Sequence, residues 1–505
     1  MIMPALAVDR CKMVVSILLL LMVGTVSAQQ LDEVDARFFL LRTGFAPDQN
    51  EVARYSRLSR QQAVEQVLAE TRTTAATVVP GWIDEPSISF LHLKDKSDDE
   101  KKTLRELEQR HAFELRGWWL REMLSTPTPL TERMTLFWHN HFTSSQQKVR
   151  STSLMYRQNS LFRQQALGNF GSLLHAIGRD PAMLLYLDNS SNRKGAPNEN
   201  FAREVMELFT LGEGQYGEQD VKEAARALTG WSVERDTGEF RSRPAAHDTG
   251  SKTILGVSGN FDGDAMLDIL LAQPACAEYL VVKLWREFIS PDPDPREVKR
   301  IARQFRDSRY DIKTALRELF LAPAFWQAGN RATLVKSPVE LVVGTLRQFR
   351  FSYDDPLPFT FAVGQLGQNL FNPPNVKGWP GGDAWINSTT LLAREAVLER
   401  LFRATGQPVA RARVLMQDGA GLPGQQAPGS EGKIQFANAV TRIGFDPQAW
   451  LAGFGSDDAL VPDQSQRLAI QRAVLAREPS APANTALHGT SYLRSLVMDP
   501  VYQLK

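Results

Sequence analysis

Apolar residues recur at a 3.6-residue spacing along nearly all of this 505-residue chain, and no other feature restricts its fold so much. One stripe over 31–42 stops at Gly44, with Pro47 beyond. Ser59 stands where it would cap a helix through Ala63, Val64, Val67 and Leu68. Asp98, Asp99 and Glu100 open a long helix to about Met123, where acidic residues suit the positive end of the helix dipole. The same spacing predicts helices over 131–142, 220–228, 280–288, 312–320, 339–349 and 389–402. Strand signals are concentrated at 231–241, where Asp236, Thr237 and Gly238 would turn a short hairpin. The expected class is mainly α: a multi-helix globular body with a small β-hairpin insertion and a C-terminal helical tail.

Punctuation divides the chain further. Leu120-Arg121, Leu316-Arg317 and Leu493-Arg494 are each followed by a proline at the same offset, Pro127, Pro323 and Pro500. Each reads as a helix that cannot pass its proline. The copies are irregularly spaced, so they are no solenoid repeat. Residues 1–28 have the layout of a secretory signal peptide: Arg10 and Lys12, an apolar run over 13–23, then small residues to Ala28. Residues 29–404 form the expected main body, and 405–432 a Gly/Pro/Gln-rich loop or linker. Residues 433–505 form a helical segment expected to pack back on the body through Leu496, Val497, Val501 and Tyr502.

Composition narrows the setting. Removing the leader takes Asp9, Arg10 and Lys12, which brings 58 basic and 57 acidic residues into balance. A neutral balance gives no support for nucleic-acid binding and argues against a polybasic grip on a membrane. No stretch after the leader is apolar for the roughly 18 residues of a spanning helix. The expectation is a periplasmic or secreted protein. Cys276 alone remains after cleavage, so the core must hold the fold without a disulfide.

Chemistry concentrates in a few places. His139 and His141 lie in an aromatic segment, and imidazole suits both metal ligation and proton transfer near neutral pH. On a helix two positions diverge by about 200°, so the pair does not chelate one metal unless the helix breaks. His139 shares a face with Glu132 and Thr135; His141 shares one with Met134, Phe137 and Trp138. The bland alternative is that both imidazoles fill polar gaps among aromatics. Asn198 would cap a helix whose polar stripe is Asn200, Arg203, Glu204 and Glu207, the spacing of carboxylates in bundle metal sites. Its alternative is a solvated face with a local ion pair. A long polar loop with Asn189 and Glu199 at its ends leads into that helix. His247 and Asp248 follow the hairpin; the His would be a third ligand and the Asp its orienter, or the two form an ordinary loop pair. The Pro- and Gly-rich loop 372–385 offers Lys377, Trp379 and Trp385 as a binding wall or as plugs of the fold. Asn260, Asp262 and Asp264 lack the order of a calcium loop and read as helix capping. Nucleophile elbow, P-loop, dinucleotide fingerprint and H-E-x-x-H are all absent from the sequence.

Several phrases resemble one family. They are 37–45 (RFFLLRTGF), 134–142 (MTLFWHNHF), 180–189 (DPAMLLYLDN), 197–212 (PNENFAREVMELFTLG), 225–231 (ARALTGW), 373–379 (PPNVKGW) and 500–503 (PVYQ). The chain is similar throughout to the bacterial domain-of-unknown-function family 1800, a group of uncharacterised exported proteins. The resemblance carries no agreed activity. It implies a neighbouring exported protein resembling phosphatases and sulfatases as a partner. The family phrases include His139, His141, Asn198, Glu199, Arg203, Glu204 and Glu207, and the family pattern extends to His247 and Asp248; His92, His111, His175 and His488 lie outside them.

Three functions fit these residues. The leading one is metal-assisted hydrolysis in a polar His/Glu/Asp pocket. His139, His141, Glu204, Glu207 and His247 would then be ligands of a divalent metal, and His139, His141, Arg203 and Asp248 catalytic groups. The others are a non-catalytic scaffold for the neighbouring enzyme, and envelope polysaccharide or peptide binding. The binding residues would be Asn189, Asn198, Glu199, Lys377, Trp379 and Trp385.

Overall fold

The computed structural model describes residues 30–84, 96–234, 237–403, 443–457, 460–482 and 484–505. The leader and the 405–432 segment lie outside the described residues. The rest is mainly helical, with three two-stranded antiparallel sheets.

Local chemistry sets most helix ends. Asp32 caps Glu33–Thr43, which stops at Gly44. Ser59 caps Arg60–Ala69, and Ser97 caps Asp98–Ser125, each with a reciprocal bond from the third residue in. The prolines behave in two ways. Pro127 follows the end of the long helix, whereas Pro323 and Pro500 each start a new short helix and seat Phe325 and Tyr502 in the core. The hairpin forms as expected, pairing Trp231 with Ser242 and Val233 with Phe240. A second hairpin, Lys252–Ile254 with Val257–Gly259, turns on Leu255 and Gly256, both at positive φ. That is the turn geometry that matches strand twist. The third sheet pairs Ser352–Tyr353 with Ile443–Gly444.

The helix Pro129–His141 lies at the centre; all its residues but Pro129, Phe137 and Asn140 are buried. It packs on Asp98–Ser125 and Thr152–Gln164. A helix enclosed in this way leaves few of its polar groups unpaired, and its charged side chains find partners. Glu132 accepts the Arg163 fork at 2.5 and 2.9 Å and the Trp119 indole at 3.0 Å. Arg133 bonds Glu340, and Glu287 lies 2.6 Å away. The final residues reach the same cluster: Lys505 bonds Glu340, its main chain pairs with Leu334, and the Tyr502 hydroxyl meets Thr345 at 2.8 Å. These charges converge on Glu340, whose carboxyl Arg133 and Lys505 hold well below the usual range against the opposing effect of burial.

Among the described residues no single helix is long and apolar enough to cross a membrane. One pair, Gly263–Ala272 and Pro274–Phe288, passes on length and composition together but is bent by 74°. Its apolar stripe, Met266, Leu267, Leu270, Leu280 and Val281 among others, is buried in the core.

Candidate functional site

The helix Pro129–His141 sends its two imidazoles to opposite sides, as the 200° divergence requires. His139 is fully buried in an aromatic box, with ring centres of Phe371 at 5.4 Å, Trp119 and Trp379 at 5.5 Å and Phe162 at 6.0 Å. Neither of its nitrogens has a hydrogen-bond partner. Burial alone lowers its pKa to about 3, so it is neutral at any physiological pH.

His141 faces the helix 199–204 and its continuation. Its Nε2 lies 3.1 Å from the Phe209 carbonyl, and its Nδ1 lies 3.0 Å from Lys283 Nζ. An ammonium can only donate, so Nδ1 accepts and Nε2 carries the proton given to Phe209. Burial, followed by the Lys283 charge, holds His141 well below the usual imidazole range.

The segment it meets departs from the sequence expectation. Glu199–Glu204 is α-helical, but Val205–Thr210 widens into a π-helix. Leu211 N bonds Met206 O at 2.8 Å, and the Thr210 hydroxyl bonds Val205 O at 2.7 Å. The wider turn breaks the 3.6-residue spacing on which the stripe was read, although Glu204 and Glu207 still lie close enough for their charges to interact. Arg203 pairs instead with Glu199 at 3.1 Å and Glu218 at 2.7 Å. Glu207 accepts the Tyr216 hydroxyl at 2.7 Å. Glu204 is half-buried, and burial, then the Glu207 charge, raises its carboxyl. Lys377, on the facing loop, pairs with Glu213 at 3.6 Å.

At the end of the π segment the Leu208 carbonyl accepts from Tyr279 Oη at 3.1 Å and from Lys283 Nζ at 3.2 Å. Lys283 lies over the Tyr279 ring, 4.9 Å from its centre. Burial lowers the Lys283 pKa to about 8. Neither Lys283 nor Tyr279 was among the sequence candidates. A signal existed: Lys283 is the one basic residue inside the run 280–285, between the buried Leu280, Val281 and Leu284. The π segment has no comparable local signature.

The remaining candidates serve the fold. Asn189 is fully buried and donates to the Leu228 and Trp231 carbonyls, while its own carbonyl accepts from Asn192. Asn198 caps its helix as expected and donates to Asp188 O. His247 Nδ1 lies 3.0 Å from Thr229 O, and its partner is this main chain, not Asp248. Asp248 instead takes the Arg226 fork at 2.9 and 3.2 Å, which lowers its pKa to about 2. Trp379 and Trp385 are both buried, so neither indole offers an open stacking face. Asn140, between the two imidazoles, is what docks that loop: its Oδ1 accepts Trp379 N at 2.7 Å. Asp262 caps Gly263–Ala272, in keeping with the capping expectation. His175, outside the family phrases, bridges Asp264 at 3.0 Å and Asp268 at 2.9 Å.

The expected ligand set of His139 or His141 with Glu204, Glu207 and His247 is thus not assembled. Among the described residues no group of three or more His, Cys, Asp or Glu side chains is placed to hold a metal ion. The reason is geometric: His139 is walled off by aromatics, His141 spends both nitrogens on Phe209 and Lys283, and His247 is tied to Thr229.

Fold and site together define a mainly helical protein built around a buried aromatic–polar helix, with a π-helical segment clasped by His141, Tyr279 and Lys283. The chain belongs to the DUF1800 family, described as a protein of unknown function, whose model matches residues 38–504. No curated protein and no solved structure matches it.

Proposed function

We propose that the protein works outside the cytoplasm as a non-catalytic helical partner of an exported phosphatase- or sulfatase-like enzyme. One observation carries this reading. Most polar residues in and beside the family phrases are spent on holding its own elements together: Asn189 and Asn192 on main chain, Asp248 on Arg226, Arg203 on Glu199 and Glu218, and Asn140 on the Trp379 loop. A metal-assisted hydrolase needs an open ligand set and a base near water. A scaffold needs only a stiff, defined surface, and internal struts of this kind supply stiffness. The leader-like residues 1–28 support export.

The test is purification of the full chain, with its own leader, from envelope and periplasmic fractions, followed by metal analysis and identification of co-purifying proteins. The expected result is stoichiometric recovery of a phosphatase- or sulfatase-like exported protein. A chain that purifies alone, with stoichiometric metal that Glu207→Ala removes and with hydrolase activity of its own, overturns the proposal.

A further inference from the structure

The helix Pro295–Asp307 turns an uncompensated row of cations to solvent. Its apolar residues Val298, Ile301, Ala302 and Phe305 are buried, and it packs on Pro274–Phe288 and Ile312–Leu321. Arg296, Lys299 and Arg303 are exposed on the opposite side. At about 100° per residue the three fall within about 60° of one another and span about 10 Å of helix. Among the described residues none of the three forms an ion pair. Arg300, beside them, is the contrast: it pairs with Glu297 at 3.1 Å and also with Glu318. Asp307 closes the row at its end.

The helix gains nothing from this row by itself. Asp294 caps it and accepts from Arg296 N at 2.8 Å. Arg296 therefore lies in the first turn, where the positive end of the helix dipole disfavours a cation. Lys299 and Arg303 stand four positions apart, as do Arg296 and Arg300, and like charges at that spacing destabilise a helix. An anionic surface laid along the row relieves both repulsions.

We propose that this face docks an acidic protein surface, the carboxylate-bearing side of the exported enzyme partner; the identity of that partner rests on the scaffold reading above. Arginine offers a carboxylate a planar fork of two bonds, and Arg296 and Arg303 hold two such forks in one line. Complementary charge of this kind steers two proteins together and fixes their register. A protein fits the row better than a bilayer does. The helix spends its apolar side on the core, whereas a membrane-surface helix needs that side free to insert. A protein also fits better than nucleic acid, because Phe305, the aromatic residue of this helix, is buried and offers bases no stacking face.

The experiment titrates fluorescein-labelled poly-L-glutamate with the full folded chain at low ionic strength and follows anisotropy. The expected result is binding that weakens as salt is added and that falls at least about tenfold in Arg296→Gln/Lys299→Gln/Arg303→Gln, with the urea midpoint unchanged. Arg193→Gln/Lys194→Gln/Arg243→Gln removes the same charge from exposed residues elsewhere and should change binding less than about twofold. Equal losses in the two variants, no binding by the unaltered chain, or tighter binding to phosphatidylglycerol vesicles through the same row overturns the proposal. A pull-down from envelope extract separates it from the scaffold reading. Recovery of a phosphatase- or sulfatase-like protein by the unaltered chain and not by the row variant supports both. Recovery by both chains overturns the docking face and leaves the scaffold reading standing. Recovery by neither sinks the scaffold reading, and the polyglutamate titration then decides the row.

Discussion

Asp180→Asn should stabilise the protein at pH 8 and leave it nearly unchanged at pH 4. Asp180 is 6% exposed and caps the short helix Pro181–Tyr186. Its Oδ1 accepts from Met183 N at 2.9 Å and from Gln158 Nε2 at 2.7 Å. Burial raises its pKa from 3.8 to about 7, against the lowering effect of the bonds from Met183, Gln158 and Ala182. The folded chain therefore binds this proton more tightly than the unfolded chain. Between about pH 4 and pH 7 the folded state holds more protons, and stability falls as pH rises through that window. Above it the loss is complete and flat. A shift of this size corresponds to a ceiling of about 4 kcal/mol. Asparagine keeps the acceptor oxygen for both donors and cannot ionise. Urea unfolding followed by tryptophan fluorescence should show a gain of about 2–4 kcal/mol at pH 8 and a change within about 1 kcal/mol at pH 4. An equal change at both pH values, or destabilisation at pH 8, would mean that the ionised carboxylate is the native form and that the reasoning fails.

Two further substitutions probe the packing around the central helix. Gly378 sits at φ +88°, and an added Cβ would lie 2.3 Å from Asn140 Oδ1 and 2.7 Å from Asn140 O. Gly378→Ala should cost at least about 2–3 kcal/mol, and an unchanged urea midpoint would show that the loop is not held against Asn140. Glu132→Gln leaves the buried Arg163 guanidinium without its charge partner and should cost about 3–5 kcal/mol. Adding Arg163→Met should recover much of that loss in a double-mutant cycle, and strict additivity would contradict the pairing.

Helix positions were legible because their causes are local. Asp32, Ser59, Ser97 and Asn198 each cap the helix that follows them, and the apolar stripes of Arg60–Ala69 and Pro338–Gln348 face the core. The divergence of His139 from His141 was legible for the same reason, since it follows from 3.6 residues per turn. The candidate ligand set was not. Its stripe of Asn200, Arg203, Glu204 and Glu207 assumed an unbroken α-helix, whereas the segment turns π-helical at Val205 and Glu207 bonds Tyr216. Asp248 stood next to His247 in sequence but chose Arg226, because a guanidinium fork offers a carboxylate two charged bonds where a neutral imidazole offers one.

By itself the sequence determined a mainly helical fold and where most of its helices begin and end, since periodicity, caps and proline stops act over a few residues. It also determined the family, through long phrases. Only the tertiary structure decided which polar groups meet. Lys283 reaches His141 across 142 positions and Leu208 across 75. A pairing over such distances is set by how helices pack and by which buried donors must find acceptors, and neither is encoded in local spacing.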